Sequence, residues 1–156
     1  MEAMKEIYHE MKTFMEAYCR DYDTLAQEAE TVDVLDKYCT QDFISTAYMA
    51  MKGEAYPFCL KGLKSWKRFL VEGHRTVVED FTAEDMFLDP LKMTAVARLR
   101  IKKFDKQSGK QLLDADAVGC YHLTHVDGHL RMSSLQFFTG DTSHFAGLYN
   151  HKKENV

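Results

Sequence analysis

The residues from Leu91 to Thr139 alternate between apolar and polar side chains, which is the pattern of β-strands. Two turn signals divide this stretch into three antiparallel strands. Asp127-Gly128 suits a two-residue type I′ hairpin, because both of its central residues need a positive φ angle. A looser turn, centred near Ser108, separates the first two strands. Together the turns predict a three-stranded meander with a nearly fixed register.

The same turns predict which residues lie opposite each other in the meander. Across the first turn the expected pairs are Lys102 with Asp114, Arg100 with Asp116 and Arg98 with Val118. Across the second turn they are Val126 with His129, Leu123 with Met132, Tyr121 with Ser134 and Gly119 with Gln136. Because strand side chains alternate between two faces, the two members of each pair share a face.

The two faces of this predicted sheet differ in chemistry. One is apolar, and we interpret it as a concave inward face on which small residues leave space for a ligand. The small residues are Ala95, Ala97, Ala115, Ala117 and Gly119. The other face carries the charged pairs and an apolar patch made of Val96, Val118, Cys120, Leu135 and Phe137.

Three segments carry apolar residues at helical spacing. Glu2 to Ala29 predicts a long amphipathic helix, and Thr31 to Cys39 predicts a short second helix. Gly62 to Glu72 predicts a third helix, which Gly73 follows. Glycine is common just past the C-terminus of a helix.

Two further strands and a loop complete the predicted elements. Asp42 to Tyr48 has the β-branched and aromatic content of a strand, and Thr76 to Leu88 alternates, with Glu79 and Phe81 on one face. Met49 to Lys61 is less regular, and we predict a loop that covers one end of the cavity. The element order predicts an α+β protein with a curved, mostly antiparallel sheet packed on three N-terminal helices. We expect one domain in residues 1–141 and a C-terminal tail in residues 142–156.

Composition and charge narrow the classes of partner. The chain has 156 residues, of which 46% are hydrophobic, and a formal net charge of −4. An acidic balance argues against binding to nucleic acid, which requires a basic surface. No apolar run approaches the ~20 residues needed to span a bilayer, and no signal peptide is evident. We therefore expect a cytoplasmic protein that binds neither nucleic acid nor membrane. The four cysteines lack the spacing of metal ligands, so we expect no metal site.

Three short motifs, in their order and spacing, resemble a known family. They are Tyr38-Cys39-Thr40-Gln41-Asp42-Phe43, the segment from Gly62 to Leu70, and the hairpin His125-Val126-Asp127-Gly128-His129-Leu130. Over roughly residues 5 to 141 the chain resembles the nuclear transport factor 2-like superfamily, in particular its SnoaL-like branch of polyketide cyclase and ketosteroid isomerase-like domains.

The resemblance implies a cone-shaped half-barrel that encloses an apolar pocket. It also implies a homodimer built on the outer face of the sheet and a small hydrophobic molecule as ligand, with no cofactor. Family members include isomerases, cyclases, dehydratases, epoxide hydrolases and non-catalytic binding domains. The fold therefore leaves the function open.

Two of these chemistries lack their expected carboxylates here. An isomerase-like site needs an acid on the first strand, but that strand has none after Asp42. A cyclase-like site needs an inward acid on the late strands, and the predicted register sends Asp114 and Asp116 outward, against Lys102 and Arg100.

A dehydratase-like site, which uses tyrosines and histidines, fits the remaining residues better. Tyr121 and His125 are the candidate catalytic residues, since histidine titrates near neutrality. The residues expected to line the pocket are Tyr18, Tyr22, Tyr48, Trp66, Tyr121, Ser134 and Gln136. Two functions stay open: acid–base catalysis of the dehydratase, isomerase or cyclase type, and a non-catalytic ligand-binding or assembly module.

Overall fold

The computed structural model describes residues 1–51 and 54–139 of the chain. Its helices are α1 (Glu2–Gln27), a 3₁₀ helix (Ala29–Lys37) and α2 (Leu63–Gly73). Its strands are β1 (Cys39–Met51), β2 (Glu54–Lys61), β3 (Val77–Asp89), β4 (Thr94–Asp105), β5 (Gln111–Val126) and β6 (His129–Thr139). The predicted tail, residues 142–156, lies outside the described residues.

The six strands form one sheet in the order β2-β1-β6-β5-β4-β3. All neighbouring strands run antiparallel except β1 and β6, which are parallel. The sheet is curved and unclosed, and the helices pack on its concave face, so the predicted α+β class is confirmed. No helix in the described part of the chain is long and apolar enough to cross a membrane.

The segment predicted as a loop is a strand instead. Residues from Glu54 to Lys61 pair with β1 in an antiparallel hairpin and form one edge of the sheet. Pro57 favoured the prediction of a loop, because proline is unfavourable inside a sheet. An edge strand tolerates it, since one side of the strand needs no hydrogen-bond donor.

The predicted register between β4 and β5 is confirmed. Lys102 lies opposite Asp114, and Arg100 lies opposite Asp116. The guanidinium of Arg100 contacts both aspartates, at 2.7 Å from Asp114 and 3.2 Å from Asp116. These charges lie on the outer face, where they form a partly exposed ladder.

The register between β5 and β6 follows the prediction only near the turn. Leu123 pairs with Met132 as expected, but a bulge then shifts the ladder by one residue. Tyr121 therefore lies opposite Leu135, and Gly119 lies opposite Phe137. A one-residue shift moves every following side chain to the other face of the strand.

The small residues of β4 and β5 serve packing rather than a cavity. Ala95 and Ala97 are fully buried and belong to the same core as Met11 and Met15 of α1. Gly119 makes room for an aromatic ring: a Cβ atom there would lie 2.8 Å from Cε2 of Tyr121. The ligand space predicted above these residues is thus filled by the protein's own side chains.

Candidate functional site

A cavity of about 230 Å³ lies between the two α-helices and the sheet. Its walls are mainly apolar, and the large side chains that line it include Tyr18, Tyr22, Trp66, Phe81, Leu99, Tyr121, Leu135 and Phe137. An apolar cavity of ~150 Å³ holds benzene. This cavity is therefore large enough for a molecule of one or two rings.

Aromatic rings from three elements form one wall of the cavity. Tyr18 and Tyr22 come from α1, one helical turn apart, and Trp66 comes from α2. The rings of Tyr22 and Trp66 stack at 6.2 Å, and the rings of Tyr18 and Tyr121 meet edge to face at 5.7 Å. Such rings supply a large apolar surface with few rotatable bonds.

The tyrosine hydroxyls on this wall are available to a ligand. Those of Tyr18, Tyr22 and Tyr121 make no hydrogen bond with any other residue that the structure describes. Burial raises the pKa of all three phenols well above the usual value. They therefore stay neutral and can donate hydrogen bonds.

The imidazole of His74 and the carboxyl group of Glu79 lie next to each other in the wall of the same cavity. His74 follows α2 and is held by a backbone hydrogen bond of 3.0 Å from its N–H to the carbonyl of Leu70. Glu79 points inward from β3. Nε2 of His74 lies 3.4 Å from Oε2 of Glu79, and both side chains are more than nine-tenths buried.

Burial shifts the pKa values of both groups in the direction that favours their uncharged forms. Burial raises the pKa of Glu79 to about 7, while the positive charge of Lys103 opposes this rise and the negative charge of Asp23 adds to it. Burial lowers the pKa of His74, and the charge of Lys103 lowers it further. Glu79 thus gains or loses its proton near neutral pH.

Tyr22 extends this pair into the cavity. After burial, the charge of Glu79 is the next largest cause that raises the pKa of the Tyr22 phenol. Both side chains line the same cavity.

Four of the residues predicted to line the pocket come together on the cavity wall: Tyr18, Tyr22, Trp66 and Tyr121. Three others do not, namely Tyr48, Ser134 and Gln136. Ser134 and Gln136 face outward because of the bulge in β6. Tyr48 also faces outward, where its ring stacks on Phe138 at 4.9 Å.

His125, the predicted catalytic base, lies away from the cavity. Its Nε2 is 3.1 Å from Oε1 of Glu10 on α1. Both side chains are more than two-fifths exposed, so solvent screens the pair. Tyr121, the other predicted catalytic residue, lies on the cavity wall.

His74 and Glu79 were missed as candidates, although one signal for Glu79 was present. The alternation of β3 places Glu79 on the same face as Phe81, and a carboxyl group among inward apolar residues is unusual. His74 has no comparable signal, because its position depends on how α2 ends against the sheet.

The chain is similar to known proteins in structure. No family model matches it, and no curated protein matches it in sequence. Its structure is similar to that of an NTF2-like protein of unknown function from Pseudomonas putida KT2440, with a TM-score of 0.61, 10% identity and coverage of 89% of this chain and 92% of the other.

Two further solved structures show the same similarity. One is a ketosteroid isomerase-like protein from Erwinia carotovora atroseptica SCRI1043, with a TM-score of 0.59, 13% identity and coverage of 86% and 96%. The other is an LEH-like epoxide hydrolase from M. tuberculosis, with a TM-score of 0.57, 15% identity and coverage of 90% and 86%. At these identities the similarity establishes the fold alone.

Proposed function

We propose that this protein, which has the nuclear transport factor 2-like fold, binds a small apolar or aromatic molecule and exchanges a proton with it through Glu79. The buried pair of Glu79 and His74 on the wall of an apolar cavity carries this proposal. A pKa of about 7 suits Glu79 to both removal and return of a proton near neutral pH.

The chemistry needs no group beyond the side chains of the cavity. The carboxylate of Glu79 accepts a proton from a carbon of the ligand, and His74 holds the carboxyl group in place. The neutral hydroxyls of Tyr22 and Tyr121 donate hydrogen bonds to an oxygen on which negative charge develops. Return of the proton from Glu79 to another carbon of the ligand completes an isomerisation. In a dehydration the proton goes instead to the oxygen of a hydroxyl group, which leaves as water as its C–O bond breaks and a C=C bond forms.

A simple probe tests Glu79 as a base without knowledge of the natural ligand. When a base removes the C3 proton of 5-nitro-1,2-benzisoxazole, its N–O bond breaks and a coloured phenolate forms. We expect the protein to accelerate this reaction, with a rate that rises with pH around a midpoint of about 7, because only ionised Glu79 accepts the proton.

Substitutions separate Glu79 from other carboxyl groups. Glu79→Gln should abolish the acceleration, while Glu72→Gln, on the exposed side of α2, should leave it unchanged. Equal rates for the wild type and Glu79→Gln would overturn the proposal. If the wild type binds the probe without accelerating its reaction, the non-catalytic alternative is the better description.

A further inference from the structure

A lysine lies beside the Glu79–His74 pair and has no assigned role. Lys103 on β4 is directly opposite Glu79 on β3, so the two side chains share the inward face. Lys103 is half-buried and lines the same cavity. Its ammonium group adds a positive charge to a space with mainly apolar walls.

No described side chain pairs with this ammonium group. Within the part of the chain that the structure describes, Lys103 forms no ion pair and no side-chain hydrogen bond. Its partner across the strands, Glu79, stays protonated up to about neutral pH, because burial raises the pKa of that carboxyl group. Lys67, the half-buried lysine of α2, by contrast contacts Asp33 and Asp36 at 3.1 and 2.6 Å.

We propose that Lys103 binds an anionic oxygen of the ligand, so that the cavity takes an aromatic acid of one or two rings rather than an uncharged molecule. This inference rests on the proposed function, since it assigns the ligand class of the same cavity. A carboxylate on the ligand supplies the partner that Lys103 lacks. The aromatic wall of Tyr22 and Trp66 supplies the surface for the rings.

Because Lys103 lies opposite Glu79, the affinity for an anionic ligand depends on whether Glu79 is protonated. The groups that face Glu79 are His74 after α2, Lys103 on β4, and Tyr22 and Asp23 on α1. Protonated Glu79 tolerates a neighbouring carboxylate and can donate a hydrogen bond to it. Ionised Glu79 repels it. The affinity for an anionic ligand should therefore fall as the pH rises through about 7, whereas the affinity for a neutral ligand should not.

Titration calorimetry with two matched probes tests the inference. The probes are 2-naphthoate and its uncharged relative 2-naphthalenemethanol, which has the same rings. At about pH 6 we expect the wild type to prefer naphthoate by about tenfold or more, as for a hydrogen bond to a charged group. Lys103→Met should remove this preference and leave the affinity for the alcohol unchanged. Lys103→Arg should retain it.

The control is Lys102→Gln, which removes a neighbouring lysine from the outer face and should change neither affinity. An equal loss of both affinities in Lys103→Met would show that the stem only packs and would overturn the inference. So would a wild type that binds naphthoate no better than the alcohol, or that binds neither probe. None of these outcomes changes the benzisoxazole test, which uses a neutral probe and depends on Glu79.

Discussion

Glu79 shows how a single buried group can couple function to stability. In the folded protein burial holds its proton up to a pH of about 7, whereas the ordinary value for the unfolded chain is 4.5. Between these values the folded state binds more protons than the unfolded state. This group's contribution to stability is therefore lost as the pH rises from 4.5 to about 7.

At the residue scale, Glu79→Gln should stabilise the protein above neutral pH. The amide removes the cost of a buried charge, so the free energy of unfolding should rise by up to about 3 kcal/mol at about pH 8. The gain should be much smaller at about pH 5, where folded Glu79 is protonated. Chemical unfolding at the two pH values measures this difference, with Glu72→Gln as the control. An equal gain at both would contradict the raised pKa.

At the scale of elements, the bulge in β6 decides what the cavity contains. It directs Leu135 and Phe137 inward and Ser134 and Gln136 outward. The wall that β6 contributes is therefore apolar. Glu79, Lys103 and His74 come from β3, β4 and the end of α2, and the tyrosine hydroxyls come from α1 and β5.

Two substitutions of neighbouring residues test that orientation. Leu135→Gln should cost about 2–4 kcal/mol of unfolding free energy, because it buries an amide in an apolar wall. Gln136→Leu should change stability by less than about 0.5 kcal/mol, as is usual on a surface. Thermal or chemical unfolding of both variants measures the contrast. If β6 had no bulge, Gln136 would face inward and Leu135 outward, and Gln136→Leu would then have the larger effect on stability.

At the scale of the whole molecule, the outer face of the sheet carries an apolar patch. It consists of Ile44, Tyr48, Val118 and Phe138. The side chains of Ile44, Val118 and Phe138 are about two-fifths exposed. It differs from the patch predicted from sequence, since two members of that patch, Leu135 and Phe137, face the cavity. Exposed apolar patches of this kind favour association, and we expect two copies of the chain to pair through it.

Phe138→Glu should therefore shift the protein from dimer to monomer. A charge at the centre of the patch would be buried without a partner in the dimer, which is strongly unfavourable. Light scattering coupled to gel filtration measures the mass of the species. Leu91→Glu, which introduces the same charge at an exposed turn residue, should leave the dimer intact. A wild type that is monomeric at micromolar concentration would contradict this expectation.

Local patterns in the chain were sufficient to predict most of the fold. Helical spacing located α1 and α2, and the turn at Asp127-Gly128 set the pairs nearest to it. Cross-strand charges such as Arg100 and Asp116 also agreed with the predicted register. Each of these signals involves residues that are close in sequence, or strands joined by a short turn.

The sequence by itself determined the class of fold, most of its elements and four aromatic residues of the cavity wall, but not the strand β2. The tertiary structure alone decided which residues form the chemical site. Glu79 is an ordinary surface residue type until the fold buries it between the sheet and the helices, and its raised pKa follows from that burial. A bulge of one residue likewise exchanges the two faces of β6, because a strand has a period of two. Desolvation and register depend on long-range packing, which no local pattern records.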